Sequence, residues 1–222
     1  MRQPDVRNIC FHGIGTPGRA IDDTDESHYW IERDTYLRVL DEIATWPATT
    51  VSFDDGNVSD IEIGLPALVE RGLTATFFVL AGRLDTPGSL TTDDVAALHG
   101  AGMRVGSHGM DHVSWRSMAP AVRRRELVDA REVIAGVVGE VTEAALPRGQ
   151  YDRTTLTWLR RLGYQAVHTS DRRPATPGAW LQPRFSVTCH DTPATLVQAA
   201  LTPRPTFERA TLELKGLVKR LR

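Results

Sequence analysis

The chain has 222 residues, 41% of them hydrophobic and 24% charged, with a net charge of −2. These proportions suit a globular protein large enough to bury a core without disulfide staples. The near-neutral balance excludes a general nucleic-acid binder, which needs a basic excess, and no apolar run approaches the roughly 20 residues of a membrane-spanning helix.

In chain order, Val6 to Phe11 reads as a first strand, ending at His12 and the Gly13/Gly15 turn. Thr49 to Phe53 is a second, ending at Asp54-Asp55-Gly56. From Asp60 to Arg71, Ile61, Leu65, Leu68 and Val69 fall at helical spacing, with Gly72 placed to cap the helix. Thr74 to Leu80 is β-branched and aromatic, hence a strand. A helix is expected from about Thr92 to His99, stopping at Gly100, then a strand from Met103 to Ser107, ending at His108. Pro120 opens a long helix that Gly139 closes. Leu156, Leu159 and Leu162 mark another, capped by Gly163, and Tyr164 to Thr169 is a strand. This alternation predicts an α/β fold with a mostly parallel sheet. His12, Asp54, Asp55 and His108 all follow the C-terminal end of a predicted strand, the edge where such folds build active sites.

Two motifs at that edge carry chemistry. In Ser52-Phe53-Asp54-Asp55-Gly56, adjacent strand residues face opposite sides, but a turn at Gly56 can bring both carboxylates to one cavity. One would then bind a cation while the other stays free as a base; the plain alternative is an Asx-type turn with two solvated aspartates. In Ser107-His108-Gly109-Met110-Asp111-His112, two imidazoles four apart are expected to meet on one face of a helical turn. With one carboxylate they make a His₂Asp set like those of catalytic zinc sites, with a position open for water. Two unrelated loop histidines are the plain alternative.

On these motifs the chain resembles the NodB-homology polysaccharide deacetylases, the fourth carbohydrate esterase family, over roughly residues 6 to 187. That family carries T/S-F-D-D-G and H-S/T-x-x-H; the second is matched at its two histidines, Gly109 standing where a hydroxyl residue is usual. The resemblance implies a distorted, incomplete (β/α) barrel of about seven parallel strands. It implies Asp54 as general base and Asp55, His108 and His112 as ligands of a divalent metal, zinc foremost, with cobalt or nickel as alternatives. The implied reaction removes an acetyl group from an N-acetylated sugar of a polysaccharide or glycan precursor, the metal polarising the carbonyl and acidifying water. Hydrolysis of a non-sugar amide or an O-acetyl ester, and a non-catalytic glycan-binding relative, are the alternatives.

The general acid is the weakest match. The family's late Leu-x-His motif has only His190, in Thr188-Cys189-His190-Asp191, to answer it. Relatives with permuted motifs carry an early Tyr-His-x-Ile, which Phe11-His12-Gly13-Ile14 resembles, so His12 is the expected acid and His190 the alternative. In the third motif, Ala145 occupies the place of the arginine that orients the catalytic Asp; Pro147 and Gly149 are expected to shape a groove wall, with Arg148 either a sugar contact or a solvated surface charge. Asp171 is expected to bind substrate or to orient a ligand or the acid histidine from behind, with a loop aspartate of no role as the alternative. Trp30, Trp115 and Trp180 are expected to pack in the core, with stacking on a sugar face as the alternative.

The deacetylase domain is expected over 1–208. Over 209–222, Leu214, Leu217, Val218 and Leu221 recur at helical spacing among basic residues, a basic amphipathic helix that suits packing on the barrel or contact with a membrane surface. The two cysteines, Cys10 and Cys189, read as isolated thiols, and the opening MRQPDVRNICFHGIG is too interrupted for a signal peptide. The expected compartment is therefore the cytosol.

Overall fold

Ala75–Val79, ATFFV, is a segment only a strand covered on both faces accommodates, and all five residues are buried. The computed structural model describes residues 4–21, 24–202 and 218. Its strands are β1 (Arg7–Phe11), β2 (Gly13–Ile14), β3 (Trp30–Ile31), β4 (Thr49–Asp55), β5 (Ala75–Val79), β6 (Arg104–Ser107), β7 (Glu143–Ala145), β8 (Ala166–Thr169) and β9 (Leu181–Ser186). Seven of them form a parallel barrel in the order β1-β4-β5-β6-β7-β8-β9, while β2 and β3 pair as a separate ribbon. The ring expected to be incomplete is hydrogen-bonded all the way round, because β9 pairs with β1 through Ile9 opposite Phe185.

Helices cover the barrel outside, among them Arg33–Ile43, Thr92–Gly100, Arg153–Arg161 and Pro193–Leu201. Tyr36, on the first of these, closes on Phe11 and Phe53 from β1 and β4. Phe53 in turn stacks on Phe77 of β5 at 4.7 Å. Each such ring contributes roughly 1.5–3 kcal/mol by leaving water, so this cluster anchors the strand that ends in the two aspartates. The long helix runs as Pro120–Arg124, Arg125–Asp129 and Ala130–Val138 with a widened middle turn, and stops at Gly139, whose φ of +85° no larger residue adopts cheaply.

Periodicity exposes the strands with continuous apolar runs and misses β7 and β9. The first is three residues long; the second, LQPRFS, carries Pro183 and Arg184, which read against a central strand. Among the described residues no helix is long and apolar enough to cross a membrane. The helix expected over 209–222 lies outside the described residues except at Val218.

Candidate active site

The C-terminal ends of β1, β4 and β6 deliver His12, Asp54, Asp55 and His108 to one cleft of about 740 Å³, whose wall His112 and Tyr29 also share. Both aspartates face it because Asp55 leaves the strand with φ +77° and Gly56 follows at +68°. Only this left-handed step overrides the alternation that sends neighbouring strand residues to opposite sides.

The two carboxylates have different surroundings. Asp54 is clamped by Arg184 of β9, Nη1 donating to Oδ1 and Nη2 to Oδ2, both at 2.6 Å, while Nη1 also donates to Ser52 Oγ at 3.1 Å. Burial alone would raise the Asp54 pKa; the Arg184 guanidinium, with smaller help from His108 and His12, holds it well below the usual carboxylate range. Asp55 lacks such a clamp. Burial raises its pKa, and its Oδ1 is buried without a hydrogen-bond partner. That oxygen lies 3.6 Å from His108 Nε2 and 3.5 Å from His112 Nε2, too far for good hydrogen bonds.

The spacing suits a cation. Ligand atoms at roughly 2.0–2.1 Å from a tetrahedral metal stand about 3.3 Å apart, and the atoms of Asp55, His108 and His112 lie within 4.8 Å of one another. His108 Nδ1 lies 2.9 Å from the Ala145 carbonyl; when it donates there, Nε2 is left as the acceptor. Burial lowers the His108 pKa to about 3 and that of His112 to about 4, so both imidazoles are neutral near pH 7.

The two histidines do not share a helical turn, contrary to the spacing argument. Residues 108–112 form a loop, with φ +88° at Gly109 and +55° at His112. What shapes it is Glu126, wholly buried on the long helix, which accepts from Met110 N, Asp111 N and Trp115 Nε1 at 3.0–3.1 Å. A Cβ at residue 109 would stand 2.3 Å from Glu126 Oε2, which accounts for the glycine where a hydroxyl residue is usual. Both Glu126 and Arg184 escaped the sequence reading. A charged residue inside an otherwise apolar helical stripe, and another inside a short strand, were the available signals.

His12 places Nε2 3.9 Å from Asp54 Oδ2 and stacks on Tyr29 at 4.6 Å. Burial lowers its pKa despite the nearby Asp54 and Asp55 charges, and its Nδ1 is buried without a partner. His190 is exposed and packs against His28 instead. The three tryptophans pack into the protein, their expected fate, and none lines the cleft: Trp115 is fully buried, Trp30 covers Gly13, and Trp180 donates to the Tyr164 carbonyl. Tyr29 is the aromatic wall of the cleft.

Arg148 lines the cleft and its Nε donates to the His112 carbonyl at 3.4 Å. Gly149 sits behind it, buried, with φ +60°, and a Cβ there would stand 3.1 Å from Ser170 Cβ. Asp171 is not on the wall either; it accepts from Thr169 Oγ1 at 2.8 Å and Tyr151 Oη at 3.4 Å, while neighbouring Ser170 faces the cleft.

Residues 45–167, more than half the chain, match the family model for polysaccharide deacetylases. The chain belongs to the polysaccharide deacetylase family. It is 25% identical over 130 residues to YxkH of Bacillus subtilis (strain 168), an alignment covering 58% of this chain and 45% of that protein. Its fold is shared with Streptococcus pyogenes deacetylase PplD, solved in complex with acetate (TM-score 0.77, 18% identity, 90% of this chain and 99% of that one). It is shared also with IcaB from Ammonifex degensii (TM-score 0.71, 22% identity, 89% and 98%). The matched span contains Asp54, Asp55, His108 and His112 but reaches neither His12 nor Arg184.

Proposed function

We propose that this family member is a metal-dependent hydrolase that removes acetyl groups from N-acetylated sugars of a polysaccharide or glycan precursor. One observation carries the reading. Of two adjacent buried aspartates, Asp54 is fully occupied by Arg184, whereas Asp55 aims an unpartnered oxygen at two neutral imidazoles. That division of labour suits one carboxylate for protons and one for a cation.

Asp55, His108 and His112 would hold the divalent metal, and their mixed nitrogen and oxygen donors suit zinc, cobalt or nickel. When bound, it supplies Lewis acidity toward the acyl carbonyl and makes water easier to deprotonate. Asp54, kept charged by Arg184, accepts the proton that the attacking water releases. His12 is neutral at rest, since burial lowers its pKa. With Nε2 3.9 Å from Asp54 Oδ2, it lies within a small shift of taking that proton on and passing it to the departing amine nitrogen. Water thus contributes its hydroxyl to acetate and its proton to the amine, and both carboxylates finish as they began.

The cleft wall is polar, with Arg19 and Arg83 paired to Glu26 and with Arg148, Gln150 and Ser170 opposite a single aromatic, Tyr29. Such a surface favours hydroxyl-rich ligands over apolar amides. The test is acetate release by protein reconstituted with each metal in turn, from N-acetylated oligosaccharides, O-acetylated sugars and small amides. Acetate from the first group is expected. Asp54→Asn should lower that turnover by roughly 10²–10⁴-fold while metal content, measured by elemental analysis, is kept. Turnover confined to esters or small amides would move the substrate assignment; loss of metal from Asp54→Asn would overturn the division of roles.

A further inference from the structure

At the rim of the cleft, a second group of soft ligands comes together from segments far apart in the chain. His28 Nδ1 lies 3.9 Å from Cys189 Sγ, and the rings of His28 and His190 meet at 5.1 Å. One ligand atom from each of the three residues falls within 4.8 Å of the others. A tetrahedral zinc with Zn–S of roughly 2.3 Å and Zn–N of roughly 2.0–2.1 Å sets sulfur and nitrogen about 3.6 Å apart, close to the separation found.

The backbone already holds these residues together. Cys189 N donates to the His28 carbonyl at 2.9 Å. The turn that carries Cys189 and His190 is fastened by Asp191, which accepts from Thr188 N and Oγ1 at 2.9 and 2.8 Å, while Asp191 N returns a bond to the Thr188 carbonyl. Part of the entropy of gathering the ligands is therefore met before any ion arrives. Cys10 does not compete for this role: it lies inside the barrel, where burial pushes its thiol strongly upward and opposes the thiolate that metals require. Cys189 is exposed to solvent and so within reach of an incoming ion.

We propose that His28, Cys189 and His190 form a second transition-metal site of the zinc class, sharing no residue with the Asp55, His108 and His112 set. Its occupation would pin the segment around His28 to the turn at Thr188–Asp191. That segment continues directly into Tyr29, whose ring touches His28 on one side and stacks on His12 on the other. The site therefore clasps the wall of the cleft next to His12. Its existence does not depend on the deacetylase reading, because the ligands belong to neither proposed catalytic role.

Cobalt(II) separates the two sites, because a thiolate ligand produces an intense ligand-to-metal absorption in the near ultraviolet and the Asp55 set has no sulfur. The full chain, freed of metal and titrated with cobalt(II), should develop that band and take up about two equivalents, one for each site. Cys189→Ser should abolish the band and one equivalent, with folding verified by circular dichroism. Cys10→Ser should retain the band, as should His108→Ala, which loses the other equivalent instead. Absence of the band at saturating cobalt in the unaltered protein, its persistence in Cys189→Ser, or its loss in Cys10→Ser would each overturn the proposal.

Discussion

Replacing Arg184 by methionine removes the charge that both oxygens of Asp54 depend on. The guanidinium is wholly buried and donates to both carboxylate oxygens at 2.6 Å, so the variant leaves an aspartate of 2% exposure without a counter-charge. Breaking one side of a buried pair costs roughly 3–5 kcal/mol, against a total of about 5–15 kcal/mol for an ordinary domain. The variant should fold yet unfold at clearly lower urea concentration. The functional effect has a definite sign. With Arg184 gone, burial becomes the dominant influence on Asp54 and raises its pKa, so the base is lost to protonation at higher pH than before. The acid limb of the kcat/KM profile should therefore move upward, and activity at pH 5 should fall further than activity at pH 8. Arg184→Lys keeps the charge but not the fork and should lie between the two. If Arg184→Met remains folded and its acid limb coincides with that of the unaltered enzyme, the idea that Arg184 sets the charge of the base is wrong.

Three further perturbations probe the rest of the site. Gly109→Ala forces a Cβ to within 2.3 Å of Glu126 Oε2 at a φ of +88°, and should cost roughly 1–3 kcal/mol together with metal affinity; equilibrium metal titration and thermal melts would show it, and unchanged values in both would refute Glu126 as the shaper of the histidine loop. His12→Ala should lower kcat for an N-acetyl amide by roughly 10²–10⁴-fold but matter far less for an aryl acetate, whose leaving group needs no proton; equal losses on both substrates would exclude proton delivery by His12. Acid should also destabilise the metal-free protein. His108 and His112 stay neutral in the native state down to about 3 and 4, whereas the unfolded chain protonates them near 6.5. Between those values the unfolded state holds more protons, so unfolding free energy falls with falling pH by up to about 1.4 kcal/mol per proton and pH unit. Asp55 and Asp60, whose pKa values burial raises, work in the opposite sense at the lower end. Denaturant melts from pH 7 to pH 5 should show the decline, and a flat profile would contradict burial of neutral imidazoles.

Asp54, Asp55, His108 and His112 were legible because their information is local. Each motif is a handful of neighbouring residues at the end of a strand whose apolar run announces it, and parallel strands aim their C-terminal ends at one edge. The α/β class followed from the same alternation. Local spacing misjudged the conformation of the histidine loop, because a period of four is shared by a helical turn and by a loop with left-handed residues at Gly109 and His112. It also passed over Arg184 and assigned the vacancy to Ala145, since β9 looks polar in isolation.

What the sequence determined by itself was the chemistry on offer: paired carboxylates, paired imidazoles and an early histidine, each tied to a strand end. Only the tertiary structure decided which aspartate is clamped and which is left for a cation, where Glu126 reaches, and that His28 meets Cys189 and His190 across 161 residues of chain. The physical reason is closure of the barrel. Pairing of β9 with β1 brings Arg184 to Asp54 from 130 positions away, and no periodicity along a single chain encodes which strand will be last to join the ring.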